Sequence, residues 1–102
     1  MLDDEKIIKE CLRAAVDGPF FPDWEFPLLF GLTRAEVAAI LASWPECDAP
    51  EDQWHAINNT LNNLLGYPHR EWAHWPRYIS ASPEEVHAVF KRWRIANPRE
   101  GG

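Results

Sequence analysis

Two segments of this chain, Thr33-Arg34-Ala35-Glu36 and Ser82-Pro83-Glu84-Glu85, each set a hydroxyl three residues before a glutamate, directly ahead of an apolar run. Such a hydroxyl accepts a hydrogen bond from the amide three residues on, and the glutamate reaches back to the hydroxyl residue's own amide. Each segment therefore fixes the first turn of a helix. Leu32 with Val37, and the weaker pair Ala81 with Val86, add the apolar contact that sets the angle of entry. The first of these helices buries Val37, Ile40, Leu41 and Trp44 and stops at Pro45. The second buries Val86, Val89, Phe90 and Trp93, with Lys91, Arg92 and Arg94 in its final turns, where the helix dipole favours cations.

Two further helices follow from periodicity. From Asp3 or Asp4, Ile7, Ile8, Cys11, Leu12, Ala15 and Val16 recur on one face until Gly18-Pro19 ends the pattern. From Pro50 or Glu51 to Leu65, the apolar face is Trp54, Ile57, Leu61, Leu64 and Leu65, and Gly66 is the stop. The intervening PFFPDWEFPLLFGL holds three prolines and five aromatics, which predicts a packed loop with a helical turn at most. The chain reads as all-α, a bundle of four main helices.

An internal echo runs through this pattern. Shifted by 49 positions, Thr33 meets Ser82, Glu36 meets Glu85, Val37 meets Val86, Ile40 meets Val89 and Trp44 meets Trp93. Pro27 meets Pro76, Ile8 meets Ile57, Leu12 meets Leu61 and Pro19 meets Pro68. Two readings stay open: capped amphipathic helices resemble one another by necessity, or one helix-loop-helix unit has been duplicated.

The 102 residues carry a formal charge of −6, which disfavours nucleic acid or an anionic membrane as direct ligand and favours a basic protein. The first ten residues lack the apolar stretch of a signal peptide, no run approaches a membrane span, and the cytoplasm is the expected location. Cys11 and Cys47 are expected to be reduced and structural. His69, Glu71 and His74 are the best candidates for a metal or enzymatic site, but they have neither the spacing of a helical zinc motif nor a nucleophile elbow. No catalytic residue, metal or cofactor is assigned.

What remains is recognition. Trp72, Trp75 and Tyr78 crowd a short segment with His74, and at least one of His74 and Trp75 is expected to be exposed as an interface anchor. His55, Asn58, Asn59, Asn62 and Asn63 line one polar helix face; since Asn is a poor mid-helix residue, the alternatives are a tolerated polar face or a recognition face.

Ser82-Pro83, Val86, Val89, Lys91, Trp93-Arg94 and Ala96-Asn97 resemble the last helix of the immunity proteins that inhibit DNase-type colicins and pyocins. In that family, small acidic four-helix domains carry a third helix of one short turn with an acid, two tyrosines and a proline. Glu71, His74, Trp75 and Pro76 stand at the matching places here. The helix ending at Gly66-Tyr67-Pro68 is similar to the family's second, and Thr33-Arg34-Ala35-Glu36 to the start of its first, so the likeness covers about residues 30–100. The chain departs from the family in having His74 and Trp75 for the tyrosines, an Asn-rich helix for an acidic one, and thirty extra N-terminal residues.

The resemblance implies a small four-helix bundle with a one-turn helix before the last helix, here preceded by an extra N-terminal helix. The whole forms one helical domain over 1–102: helix and aromatic loop in 1–30, immunity-like bundle in 31–97, flexible tail in 98–102. It further implies an antitoxin-type inhibitor, monomeric when free, that binds a basic bacterial nuclease toxin and occludes substrate access. Glu71, His74, Trp75 and Pro76 would form the energetic centre, and His55, Asn58, Asn59 and Asn62 would select the partner, with Trp72 and Trp54 as further partner-binding residues. The alternative is a helical interaction or adaptor module of two duplicated helix pairs with no toxin partner.

Overall fold

The computed structural model describes residues 3–98, so most of the expected tail lies outside the described residues. Six α-helices and one 3-10 turn account for the fold: α1 (Asp4–Asp17), α2 (Phe26–Phe30), α3 (Arg34–Ser43), α4 (Pro50–Gly66), the 3-10 turn Trp72–His74, α5 (Trp75–Tyr78) and α6 (Pro83–Ala96). No strand occurs among the described residues. Both capping boxes form. Thr33 accepts from the Glu36 amide at 3.1 Å while Glu36 accepts from the Thr33 amide at 2.8 Å. Ser82 and Glu85 repeat the exchange at 3.1 and 2.9 Å. The aromatic loop holds more structure than expected: Pro27 sits in the first turn of α2, and Gly31 closes it in the left-handed conformation at φ 70°.

The 49-residue echo extends far beyond the caps. α1 ends at Asp17 and α4 at Gly66; α3 begins at Arg34 and α6 at Pro83. The turn before α2 corresponds to the 3-10 turn before α5. Among the described residues, every buried residue of the second half lies 49 positions after a buried residue of the first. The matches include loop residues that capping rules do not dictate: Phe20 with His69, Phe26 with Trp75, Phe30 with Ile79 and Leu32 with Ala81. The packing exchanges in the same way. α1 packs on α4; α2 rests on α4 and α5 on α1; α3 touches α4 and α6 touches α1. The architecture is thus two like three-helix units crossed through α1 and α4 around one shared core.

Different chemistry closes equivalent points in the two units. α1 has no basic residue in its last turn, so its final carbonyls need an outside donor. Arg34 supplies it: Nη1 donates to Ala15 O and Val16 O, both at 2.8 Å, and Nη2 to Phe21 O at 2.7 Å. The guanidinium lies 4.5 Å above the centre of the Phe26 ring, and its Nε pairs with Asp23 at 3.0 Å without hydrogen-bond alignment. In the second unit the carbonyl equivalent to that of Ala15 belongs to Leu64, and His69 Nε2 meets it at 3.1 Å. Gly18, just past α1, has room for no side chain, because a Cβ there would stand 2.5 Å from Ala14 O.

Since three charge-assisted bonds and a ring contact converge on Arg34, Arg34→Met is expected to lower stability by roughly 2–4 kcal/mol. Arg34→Lys should recover only part of that, because an ammonium cannot reproduce the planar fork. Urea denaturation of both variants, read by helical circular dichroism, measures the loss.

Candidate protein-binding surface

The segment between α4 and α6 is shaped from below. Arg70 takes a left-handed backbone at φ 59°, turning the chain so that the Glu71 amide donates to His69 Nδ1 at 2.9 Å. With Nδ1 accepting, the ring proton lies on Nε2, facing Leu64 O. His69 is buried, edge-on to Phe20 at 4.9 Å and tilted against Trp72 at 4.6 Å. This histidine supports the segment from inside, with both nitrogens engaged.

Trp75 is 3% exposed, and its indole nitrogen donates to Ala81 O at 2.8 Å. Of the two side chains expected to leave at least one exposed, His74 is the partly exposed one and Trp75 is buried. It opens α5, where a side chain turns into the core, and it occupies the place that Phe26 fills in the first unit. The rings left outside are its neighbours. Trp72 is 46% exposed and stacked on Trp75 at 5.4 Å between ring centres. His74 has a side chain 44% exposed and stands 3.5 Å from Glu71. Pro76 is exposed beside them.

The second group of expected contacts divides. The Asn59 amide donates to Phe30 O at 2.7 Å, and the Asn63 amide to Leu29 O at 3.2 Å and Asn59 O at 2.8 Å. Two of the asparagines that looked anomalous in mid-helix, Asn59 and Asn63, thus bind the end of α2, which gives them a structural role. Trp54 is half-buried and joins α4 to the end of α6, its indole nitrogen donating to Asn97 O at 2.8 Å. Arg94 reaches Asn58 Oδ1 at 2.8 Å and lies 5.4 Å from the centre of the Trp54 ring. His55 is near Glu51 at 3.9 Å, and Asn62 is exposed. Trp54, His55, Asn58 and Asn59 line one shallow depression, together with Ile95 and Pro98. Trp72, Trp75 and Pro76 line another. The two expected groups therefore do not merge into one surface.

A third feature escaped sequence reasoning. Trp24 is 73% exposed and Leu28, one turn on, is 78% exposed. They stand on the aromatic loop that sequence reasoning treated as core packing.

Candidate chemistry is sparse. Ser80 Oγ is held by Glu10 at 2.8 Å and Ser82 is the cap of α6, so both hydroxyls near His74 have structural partners. Burial pushes the Cys11 thiol well above its ordinary range, which makes it a poor nucleophile. Among the described residues no three His, Cys, Asp or Glu side chains group closely enough to share a metal ion. Among the same residues no helix is long and apolar enough to cross a membrane. A cleft of about 400 Å³ lies where the units meet, walled by Trp44 and Trp93 and floored by Ile8 and Ile57. The Asp4–Arg92 pair closes one side of it through two bonds of 2.9 Å.

Comparison with family models, with curated proteins and with solved structures gives no match.

Two measurements check this packing. Trp75→Ala should cost roughly 3–5 kcal/mol of stability as a core truncation, whereas Trp72→Ala should cost about 1 kcal/mol, the scale of a lost ring contact; paired urea melts decide. The Arg92 hydrogen bond holds the Asp4 carboxyl below its ordinary 3.8. A lowered carboxylate contributes stability above its unfolded value and loses it as pH falls through the folded one. Asp4→Asn should therefore destabilise the protein at pH 7, and the gap from the parent should shrink as pH falls below 3.8 and the folded-state carboxyl takes up its proton.

Proposed function

We propose that this chain is a protein-binding domain whose partner is a basic protein, and that it acts as an immunity-type inhibitor of a nuclease toxin. One observation carries the reading. The 71–76 segment holds a half-exposed tryptophan, Trp72, rigidly against the buried Trp75, with an acid–histidine pair alongside. Exposed aromatics held on a firm base and flanked by polar groups are typical binding anchors. Trp72 takes the place first given to Trp75, with His74, Glu71 and Pro76 around it.

The order of elements over 31–97 adds support. α3, the long α4, a one-turn element and α6 follow one another as the resemblance implies, and in this reading they form its four-helix arrangement. A net charge of −6 suits the role, because an acidic surface beside a nuclease site repels nucleic acid while complementing the toxin's basic face. Glu71 would act mainly on association rate, and the rings on dissociation.

A second reading has its own observation. The one-turn element occurs in both units, so it belongs to the repeated frame as well as to the immunity pattern. A duplicated adaptor that holds a partner without disabling it fits that repetition.

Titration against a basic nuclease toxin domain, with nuclease activity followed in parallel, tests both. Trp72→Ala or His74→Ala is expected to weaken binding by roughly 2 kcal/mol, about thirtyfold, with the parent abolishing activity at equimolar ratio. Unchanged affinity in both variants overturns the proposed centre. Tight binding with activity intact favours the adaptor.

A further inference from the structure

The repeated frame supplies an internal control for every surface position, because it shows what side chain the fold tolerates at the equivalent place. Trp24 corresponds to Ala73 and Leu28 to Arg77, and all four are exposed. A small residue and a charged one satisfy the fold in the second unit. The backbone that presents Trp24 and Leu28, a turn running into a short helix, therefore imposes no need for large apolar side chains there. Nor do the two rest on the molecule that carries them, since each keeps about three-quarters of its surface in water. Exposing a tryptophan and a leucine one turn apart favours self-association unless a partner covers them.

The surroundings select the partner's charge. Between Arg13 and Arg34 the chain holds Asp17, Asp23 and Glu25 and no lysine, arginine or histidine. The next cation along the chain, Arg34, turns Nη1 and Nη2 inward to backbone carbonyls. It offsets Asp23 in part, through Nε at 3.0 Å. Glu25 accepts from the Tyr67 hydroxyl, and Asp17 is exposed at the end of α1. The stretch of chain that carries the apolar pair is acidic.

From this we infer that Trp24 and Leu28 form a docking point for a cationic protein segment, one that presents an aliphatic or aromatic side chain between lysines or arginines. The apolar pair receives that side chain, and Asp17 and Asp23 face its flanking cations. The inference deepens the protein-binding reading and rests on it only in taking the partner to be a protein. The surface is separate in sequence from Trp72.

A random dodecapeptide display library selected on the immobilised full chain tests it. Enriched peptides should combine an aliphatic or aromatic residue with neighbouring Lys or Arg. A synthetic copy of the most enriched one should bind with an affinity that falls with salt. Trp24→Ser with Leu28→Ser should weaken that peptide at least tenfold with the circular dichroism spectrum unchanged, Asp17→Asn should weaken it a few-fold, and Trp72→Ala should leave it unaltered. Three outcomes overturn the inference: no enrichment, enrichment of acidic or uncharged peptides, or full binding by the double variant. A parent that sediments as a dimer and becomes a monomer in the double variant also overturns it, by making a second copy the occupant. If peptide binding survives the double variant but fails with Trp72→Ala, this surface falls; with the opposite pattern this surface stands, and the 71–76 surface is decided separately by the toxin titration.

Discussion

The last turns of α1 and α4 end against the core, and the carbonyls they leave there have no water to turn to. Ala15 and Leu64, the matching residues of those turns, are fully buried. An unpaired buried carbonyl costs on the order of 1–3 kcal/mol, so the chain beyond each helix must return with a donor. In the first unit Arg34 brings it from the start of α3, and in the second His69 brings it from the loop itself. The returns dictate the rest. The loop after α1 must fold under Arg34, which places Phe20, Phe21 and Phe26 in the core. The loop after α4 must tuck in His69, which sets Phe20 against it and lifts Trp72 onto Trp75. The candidate surface at 71–76 is a by-product of closing a helix end.

The two units solve shared problems with unlike side chains, and those differences give each its character. Position 10 of α1 corresponds to position 59 of α4. Glu10 there accepts from the Ser80 amide at 2.7 Å, just past α5, while Asn59 donates to Phe30 O at the end of α2. Each long helix thus steadies the short helix of the other unit, once through an acceptor and once through a donor. Thr60, at the position of Cys11, is equally buried. A frame this repetitive carries little functional information by itself. Both proposed surfaces lie where equivalent positions differ and are exposed: Trp72 against Asp23, Trp24 against Ala73, Leu28 against Arg77.

Local rules made most of the frame legible. Caps, prolines and apolar spacing locate α1, α3, α4 and α6 to within a residue or two, because those signals act over one or two turns. What escaped depends on contacts distant in sequence. Asn59 and Asn63 looked like a recognition face because their partners, the carbonyls of α2, lie about thirty residues away. Sequence could not choose between His74 and Trp75 as the more exposed ring, because nothing local says which way the first residue of a four-residue helix turns. Two signals were present and unread. Arg34 is a cation in the first turn of a helix, where the dipole disfavours it, and such a misplaced charge points to a partner elsewhere. Trp24 and Leu28 break the 49-residue echo with large apolar residues where the other copy has alanine and arginine.

Trp72 and Trp24 differ as anchors in a way that exposure alone conceals. Trp72 is confined between His69 and Trp75, so its ring holds one orientation before any partner arrives. Binding then costs little of the rotamer freedom that a loose side chain gives up, on the order of 0.5–1.5 kcal/mol. Trp24 has no such confinement, and a partner that orders it must offset that cost with added contacts. The acids near Trp24 act earlier, on the approach of a cation, and their effect fades with salt. If both proposed surfaces bind, a division of labour is expected: the confined ring would govern how long a partner stays, and the free ring with its acids how fast and how selectively one arrives.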